Sequence, residues 1–341
     1  MYTRTLTPAL FICIAVGLTA CSKKQITPTP PIKKESDAIV TTLAGNGTYG
    51  SSNGTGAAAT FAYPDAICTD ALGNIYVGDG GDYLIRKVTP GGTVTTVPNG
   101  EVVKGQGGLV AGIGGLTVDP SGTFYYTFEL GSALFKLSPG GTSTLVAGAG
   151  LGDVDGPGDI ARFSNLIGLT CDAQGNVYGC DFENFKVRKI TPSGDVSTVL
   201  GTGAYVAPGI DTTGFLSLQS IALGKDGNFY VTDPDMYRVT KLLPSGRTVF
   251  MAGMSYPAGI AVDASGNVYV SDMLDHVINR ISQDGTVTLI AGTKGKRGYK
   301  DGIGKEAQFA LPQSLALDPT GKILYVADAG NSVIRKIVLP Q

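Results

Sequence analysis

Residues 259–281 read GIAVDASGNVYVSDMLDHVINRI. An apolar run ends at Asp263, a turn follows at Gly266, a second run closes on Asp272, and a third ends in Arg280 and Ile281. Apolar stretches this short, separated by Asp, Ser, Asn and Gly, predict strands joined by tight hairpins. The pattern occurs six times: ICTDALGNIYVGD at 67–79, LTVDPSGTFYYTF at 116–128, LTCDAQGNVYGCD at 169–181, IALGKDGNFYVTD at 221–233, IAVDASGNVYVSD at 260–272 and LALDPTGKILYVAD at 315–328. A recurrence near every fifty residues with unequal insertions marks a supersecondary unit that stacks on copies of itself.

Each copy continues into a third strand with Lys or Arg eight positions after its closing residue: Lys87, Lys136, Lys189, Lys241, Arg280 and Lys336. A Pro-Ser-Gly, Pro-Gly-Gly or Gln-Asp-Gly type of turn and a fourth strand follow. Four short antiparallel strands per unit predict an all-β chain folded as a six-bladed β-propeller. The last copy stops at Ile337-Val338-Leu339-Pro340 without a fourth strand, while VTTLAG at 40–45 precedes the first copy and matches the missing one. The N-terminal strand is therefore expected to complete the last blade, which removes a sheet edge and places the propeller at 39–341.

These units resemble the NHL-repeat family of β-propellers. The resemblance rests on six copies in register over about 300 residues. It implies a wheel whose strands, a to d, run from axis to rim. The b-to-c and d-to-a loops then share the face on which such propellers usually bind partners. Some enzymes of similar fold, lyases and lactonases, use a central metal held by several His, or by Glu, Asn and Asp.

Upstream, Met1 to Arg4 carries one basic residue and Leu6 to Leu18 is largely apolar but too short for a stable membrane span. Leu18-Thr19-Ala20-Cys21 resembles the lipobox of bacterial lipoproteins, so 1–20 is expected to be a signal peptide and Cys21 to carry lipid. Residues 21–38 are polar and Pro-rich and predict an extended linker. A lipid on Cys21 would hold the protein at a cell-envelope membrane, on the periplasmic face or the cell surface, without a transmembrane helix.

The formal net charge of −2, with only 16% charged residues, leaves no broad basic face for nucleic acid. A single His removes His-based metal sites and most acid–base pairs. Once Cys13 and Cys21 are set aside, Cys68, Cys171 and Cys180 form an odd set inside strand-like sequence. They read as small packed thiols without a disulfide framework or zinc spacing.

Three d-to-a connections share a loop: Asn53-Gly54-Thr55-Gly56 with Phe61, Asp155-Gly156-Pro157-Gly158 with Phe163, and Asp301-Gly302-Ile303-Gly304 with Phe309. DVDGPGD at 153–159 alone suggests a calcium loop, but Ser164 stands where a chelating Glu is needed. Recurrence of the Gly spacing with different acids favours a structural turn with an aromatic plug.

His276 lies four residues after Asp272, and the corresponding positions are Tyr83, Ser132, Phe185, Tyr237 and Ser332. Tyr83, Phe185, Tyr237 and His276, with Asp275, form the candidate binding surface for a protein, peptide or glycan of the cell envelope. The short fifth connection, Met254 to Tyr256, leaves a gap beside it. Asp181, Asp272 and Glu129 are the candidates for holding a divalent cation. The expectation is a monomeric, non-catalytic binding propeller without a cofactor. Its rival is a metal-dependent propeller lyase or lactonase-type hydrolase.

Overall fold

Six antiparallel sheets stand as blades around a common axis, each with four blade strands, and the first and sixth add a two-residue fifth strand, Gly54–Thr55 and Gly302–Ile303. The structure is a computed structural model that describes residues 37–101, 112–201, 214–243 and 248–340. The signal-like segment, Cys21 and the Pro-rich stretch up to residue 36 lie outside the described residues. The innermost strands are Pro64–Thr69, Ile113–Val118, Leu166–Cys171, Ser220–Leu223, Pro257–Val262 and Pro312–Leu317. Each lies against that of the next blade, and the sixth lies against the first. Ile39–Ala44 pairs with Val333–Val338, from Ile39 opposite Val338 to Ala44 opposite Ile334, so the first strand of the ring completes its last blade. No helix among the described residues is long and apolar enough to cross a membrane.

Alternation along the strands explains why there is no single core. Ile75 and Val77 point into a cluster shared with the sixth blade, whereas Tyr76 between them points into one shared with the second. All six apolar clusters among the described residues straddle two neighbouring blades in this way. Aromatic contacts cross the same seams: Tyr76 meets Phe124 at 4.6 Å between centroids, and Tyr178 meets Phe229 at the same distance.

The a-to-b hairpins are set by the repeated Asp. Asp70 Oδ1 accepts from the N–H groups of Leu72 and Asn74, and its Oδ2 accepts from Asn74 Nδ2 and the Tyr76 hydroxyl. Asp172 and Asp263 repeat the arrangement. In the fourth blade Gly224 replaces the Asp, and Asp226 takes over the bonds to Asn228 and Tyr230. A Cβ at position 224 would stand 2.4 Å from the Asp226 carboxylate, so the displaced acid requires the glycine.

The strand-closing Asp has a second structural role. Asp79, Asp181 and Asp328 each bind an Arg seven positions on: Arg86 at 3.0 Å, Arg188 at 2.6 Å and Arg335 at 2.8 Å, with all six side chains fully buried. Each guanidinium lies over the Phe of a shared loop, Phe61, Phe163 or Phe309, at 5.5, 5.1 and 4.9 Å. The loop acid or amide completes the set, because Asn53, Asp155 and Asp301 accept from the same three Arg residues at 2.9, 2.6 and 2.7 Å. Asp155 also accepts from the N–H of Thr198, so DVDGPGD is a latch between loop and blade, with its central carboxylate already satisfied. The loop then pairs with the outermost strand through Gly54–Thr55 in the first blade, Gly156 in the third and Gly302–Ile303 in the sixth.

The remaining blades depart from this rule in chemically consistent ways. The second replaces Asp and Arg with Phe128 and Phe135, whose rings meet edge-on at 5.7 Å. The fourth draws its cation from Arg238, which bonds Asp233 at 3.4 Å and the Gly214 carbonyl. The fifth has Asn279 at the Arg position, and Asp272 accepts backbone N–H groups of Ser255 and Tyr256.

Removing one member of a buried ion pair strands the other charge. Arg188→Ala is therefore expected to cost about 3–5 kcal/mol, read as a fall in the urea midpoint at unchanged slope. A midpoint within experimental error of the parent would show that the latch contributes nothing.

Candidate functional site

A cavity of about 340 Å³ opens on the axis and is lined by residues of all six innermost strands or the turns beside them. It lies at the end where those strands begin, which is the end where the b strands finish, as Pro64 opposite Asp79 and Pro312 opposite Asp328 show. The b-to-c and d-to-a loops therefore surround its mouth.

The backbone explains which side chains reach it. Five of the six a–b pairings shift register close to the mouth. Pairing jumps from Pro64–Asp79 to Ala66–Gly78, leaving Asp65 unpaired, and the same slip frees Gly114, Gly168, the pair Ala258 and Gly259, and the pair Gln313 and Ser314. All of these residues line the cavity. Bulges of this kind turn residues out of the ladder and toward a site. They also bring neighbouring strands close, since a Cβ at Gly259 would come within 2.4 Å of the Gln313 carbonyl oxygen.

The wall is rich in acceptors and holds charge of one sign. Asp65 and Glu129 line it together with Asn165, Gln219, Ser220, Gln313 and Ser314, and no Lys, Arg or His is among the lining residues. Asp65 Oδ1 and Gln219 Oε1 are shielded from solvent and have no hydrogen-bond partner within the protein. Burial pushes the Asp65 carboxyl up to about 8, with the charges of Glu129 and Asp79 adding to the shift. Burial raises Glu129 as well. At neutral pH Asp65 thus holds a proton that an exposed carboxylate would have lost. Tyr63, in the left-handed region at φ 66°, precedes Asp65 by two residues, and its phenol hydrogen-bonds Gln313.

The residues nominated from sequence fall into two groups. Glu129 enters the cavity wall. Asp181 and Asp272 do not line it. Asp181 is held by Arg188, Asn184 and the N–H of Ser164, and Asp272 by the backbone of the d-to-a turn. Among the described residues, no three His, Cys, Asp or Glu side chains gather as a metal-holding group. Cys68, Cys171 and Cys180 are free thiols, of which only Cys180 is fully buried.

Tyr83, Phe185, Tyr237 and His276 share one backbone position, a left-handed residue in the b-to-c turn with φ between 54° and 59°. In the sixth blade Ser332 takes the same conformation, whereas in the second the left-handed residue of the turn is Leu130, two positions before Ser132 in a connection of the same length. Tyr83 and Phe185 pack against separate inter-blade clusters. Tyr237 is exposed, and His276 accepts the N–H of Leu311 from the next blade through Nδ1 at 3.3 Å. Asp275 bonds Ser255 at 2.6 Å and Lys294 at 3.2 Å. None of the five lines the axial cavity, whereas Leu130 stands at its rim and is 63% exposed.

No protein-family model matches the chain. Among curated proteins it is similar to Teneurin-3 of Mus musculus, 27% identical over 368 residues that cover 88% of this chain and 13% of that protein. The chain therefore spans a small fraction of that relative's length. Among solved structures it is similar to an auxiliary nutrient binding protein from Bacteroides thetaiotaomicron, with a TM-score of 0.66, 14% identity, and coverage of 90% of this chain and 78% of that one. It is also similar to a streptogramin B lyase, with a TM-score of 0.57, 16% identity, and coverage of 89% and 98%. At these identities the likeness shows the propeller fold.

The Asp65 shift has a definite sign. The unfolded chain releases this proton near pH 3.9, whereas the folded protein keeps it until about pH 8, so the group's contribution to stability falls as pH rises between the two values. Asp65→Asn is therefore expected to melt above the parent at pH 8–9, with the difference vanishing toward pH 4. A difference independent of pH would remove the carboxyl from the titration.

Proposed function

We propose that the protein is a binding propeller of the NHL kind, monomeric and tethered to a cell-envelope membrane through lipid on Cys21, that holds a peptide, protein or glycan at its axial mouth without a cofactor. The observation that carries this reading is the cavity itself, to which every blade contributes. Residues freed from the strand ladders face it, and a closed ring holds its walls. A mouth whose walls are fixed before binding loses little conformational entropy when a ligand arrives. The left-handed row at Tyr83, Phe185, Tyr237 and His276, with Asp275, supplies a wider footprint for a ligand larger than the cavity. Likeness to a nutrient binding propeller agrees with this assignment.

A second reading is favoured by Asp65 and Glu129 lining one pocket. A carboxyl kept protonated beside another acid is the arrangement of a general acid and base. The lyase or lactonase-type activity expected as the rival would use this pair. Product analysis separates the readings, since a binder returns its ligand with unchanged mass and an enzyme does not.

The chain contains no Trp, so Leu130→Trp places a single indole at the rim. Titration with envelope-derived peptides and oligosaccharides is expected to shift its emission saturably for at least one class, and the same ligand is expected to raise the melting temperature. An emission unmoved by every class would overturn the axial assignment. Labelling of cells with a clickable palmitate analogue is expected to mark the protein and to fail for Cys21→Ser. Equal labelling of the two would sink the tether.

A further inference from the structure

We propose that the end of the sixth blade farthest from the axial mouth is a lipid-contacting surface, an apolar row that settles into the bilayer beside the tether and turns the mouth away from the membrane. The inference rests on the Cys21 tether proposed above and adds the surface of the propeller that meets the lipid. Its centre is Ile39. Ile303 and Val338 stand directly opposite Ile39 on its two sides, and Ile323 stands opposite Val338. Side chains opposite one another in an antiparallel ladder share a face, so four branched apolar residues line up across four strands. Ile39, Ile303 and Val338 are 49%, 51% and 40% exposed, and Ile323 is half-buried against the seam with the first blade. Leu72, 84% exposed, extends the surface on the same end, at a hairpin where a Cβ on Gly73 would meet Pro90 and Pro319 at 3.7 Å each.

Other blades carry polar residues at these positions. Val338 is matched by Thr89, Ser138, Thr191 and Ser282 in the first, second, third and fifth blades, and Ile39 by Thr93, Thr142, Asp195 and Thr286; the fourth has Leu243 at the first of the two positions. In those four blades the hydroxyl of the first residue hydrogen-bonds the backbone of the second and closes the c-to-d hairpin. The residue matching Ile303 in the first blade is Thr55, whose hydroxyl meets that of Thr93 at 3.1 Å. The sixth blade has no such hairpin, because its c and d strands come from distant parts of the chain, and the need for a cap is gone. That alone does not call for three branched apolar side chains in water, since Thr suits an exposed strand as well as Ile or Val.

The position of the tether identifies the occupant. Ile39 follows Asp37 by two residues, and Cys21 lies sixteen residues before Asp37. Even fully extended, that stretch spans at most about 55 Å, so a lipid on Cys21 keeps this corner beside the bilayer at high effective concentration. Shallow insertion of a few side chains is then enough, because the acyl chains supply the anchoring. Exposed Lys322, next to Ile323, lays its stem along apolar surface while its ammonium stays at headgroup level. A second copy of the chain fits less well, since a stable dimer takes about twenty or more residues a side. The b strand that begins at Ile323 finishes at Asp328 beside the mouth, so a row seated in lipid points the mouth toward the aqueous side.

The test reconstitutes the full chain with its lipid into vesicles of neutral phosphatidylcholine, which give the lysines at 23, 24, 33 and 34 no surface charge to follow. In a chain without Trp, Ile303→Trp and Leu130→Trp each report on one end, and both replace an exposed apolar residue. Quenching by phosphatidylcholine brominated on its acyl chains is expected to be about threefold or more stronger for the indole at 303 than for the one at 130. Adding Ile39→Thr and Val338→Thr is expected to remove that difference, with β-branching preserved and the melting temperature checking the fold. Vesicle-bound protein whose two indoles are quenched equally, or whose indole at 303 ignores the two threonines, overturns the apolar row and leaves the tether in place. Protein that does not float with the vesicles overturns the tether, and the row with it.

Discussion

A guanidinium buried away from water has to be neutralised and hydrogen-bonded on several sides, and in this propeller that requirement links each latched blade to the loop before it. Arg86, Arg188 and Arg335 each join the end of a b strand, an aromatic ring and a polar side chain of the preceding connection. The long d-to-a loops are thereby fixed against their blades, and the mouth they surround acquires a definite shape. Where the cation is missing, chemistry of similar size replaces it, as in the Phe128–Phe135 contact of the second blade. A well-packed apolar pair can substitute for a buried ion pair with little loss of stability. The latch thus supplies geometry at three places more than it supplies energy at all six.

The repeat period, the hairpin turns and the closure by the N-terminal strand were all legible in the sequence, because each depends on residue types at fixed local offsets. The closing Asp was legible too, but its partner was not. Attention to the Lys and Arg eight positions on passed over the Arg seven positions on, and strand alternation puts those two on opposite faces. Residues at the eighth position stay partly exposed, as Lys87 does over the Tyr76 ring, while Arg86, Arg188 and Arg335 at the seventh are buried.

The axial site was half legible. Glu129 stood out as an acid where the second blade departs from its pattern. Asp65 did not, because its exposure to the cavity comes from a one-residue slip in pairing that no periodicity announces. The available signal was an acid directly after Pro64 at the head of an apolar inner strand, at the offset where other blades carry Gly, Ala, Ser or Gln. Gln219 carried still less signal, since its significance lies in an oxygen that the folded ring leaves without a donor. The row of Tyr83, Phe185, Tyr237 and His276 was read correctly as a repeat position. Its left-handed backbone conformation has no signature in the residue types that fill it.

Pairing of Ile39–Ala44 with Val333–Val338 also dictates an order of events during synthesis. The first strand of the ring to be made has its partner in the last one, nearly the whole length of the domain away. Until the C-terminal strand arrives, five blades can form but the sixth cannot, and the ring stays open with an unpaired edge on each side of the gap. A chain cut before Val333–Val338 would leave Ile39–Ala44 without its site, so the last strand of the ring acts as a check that the entire propeller has been translated.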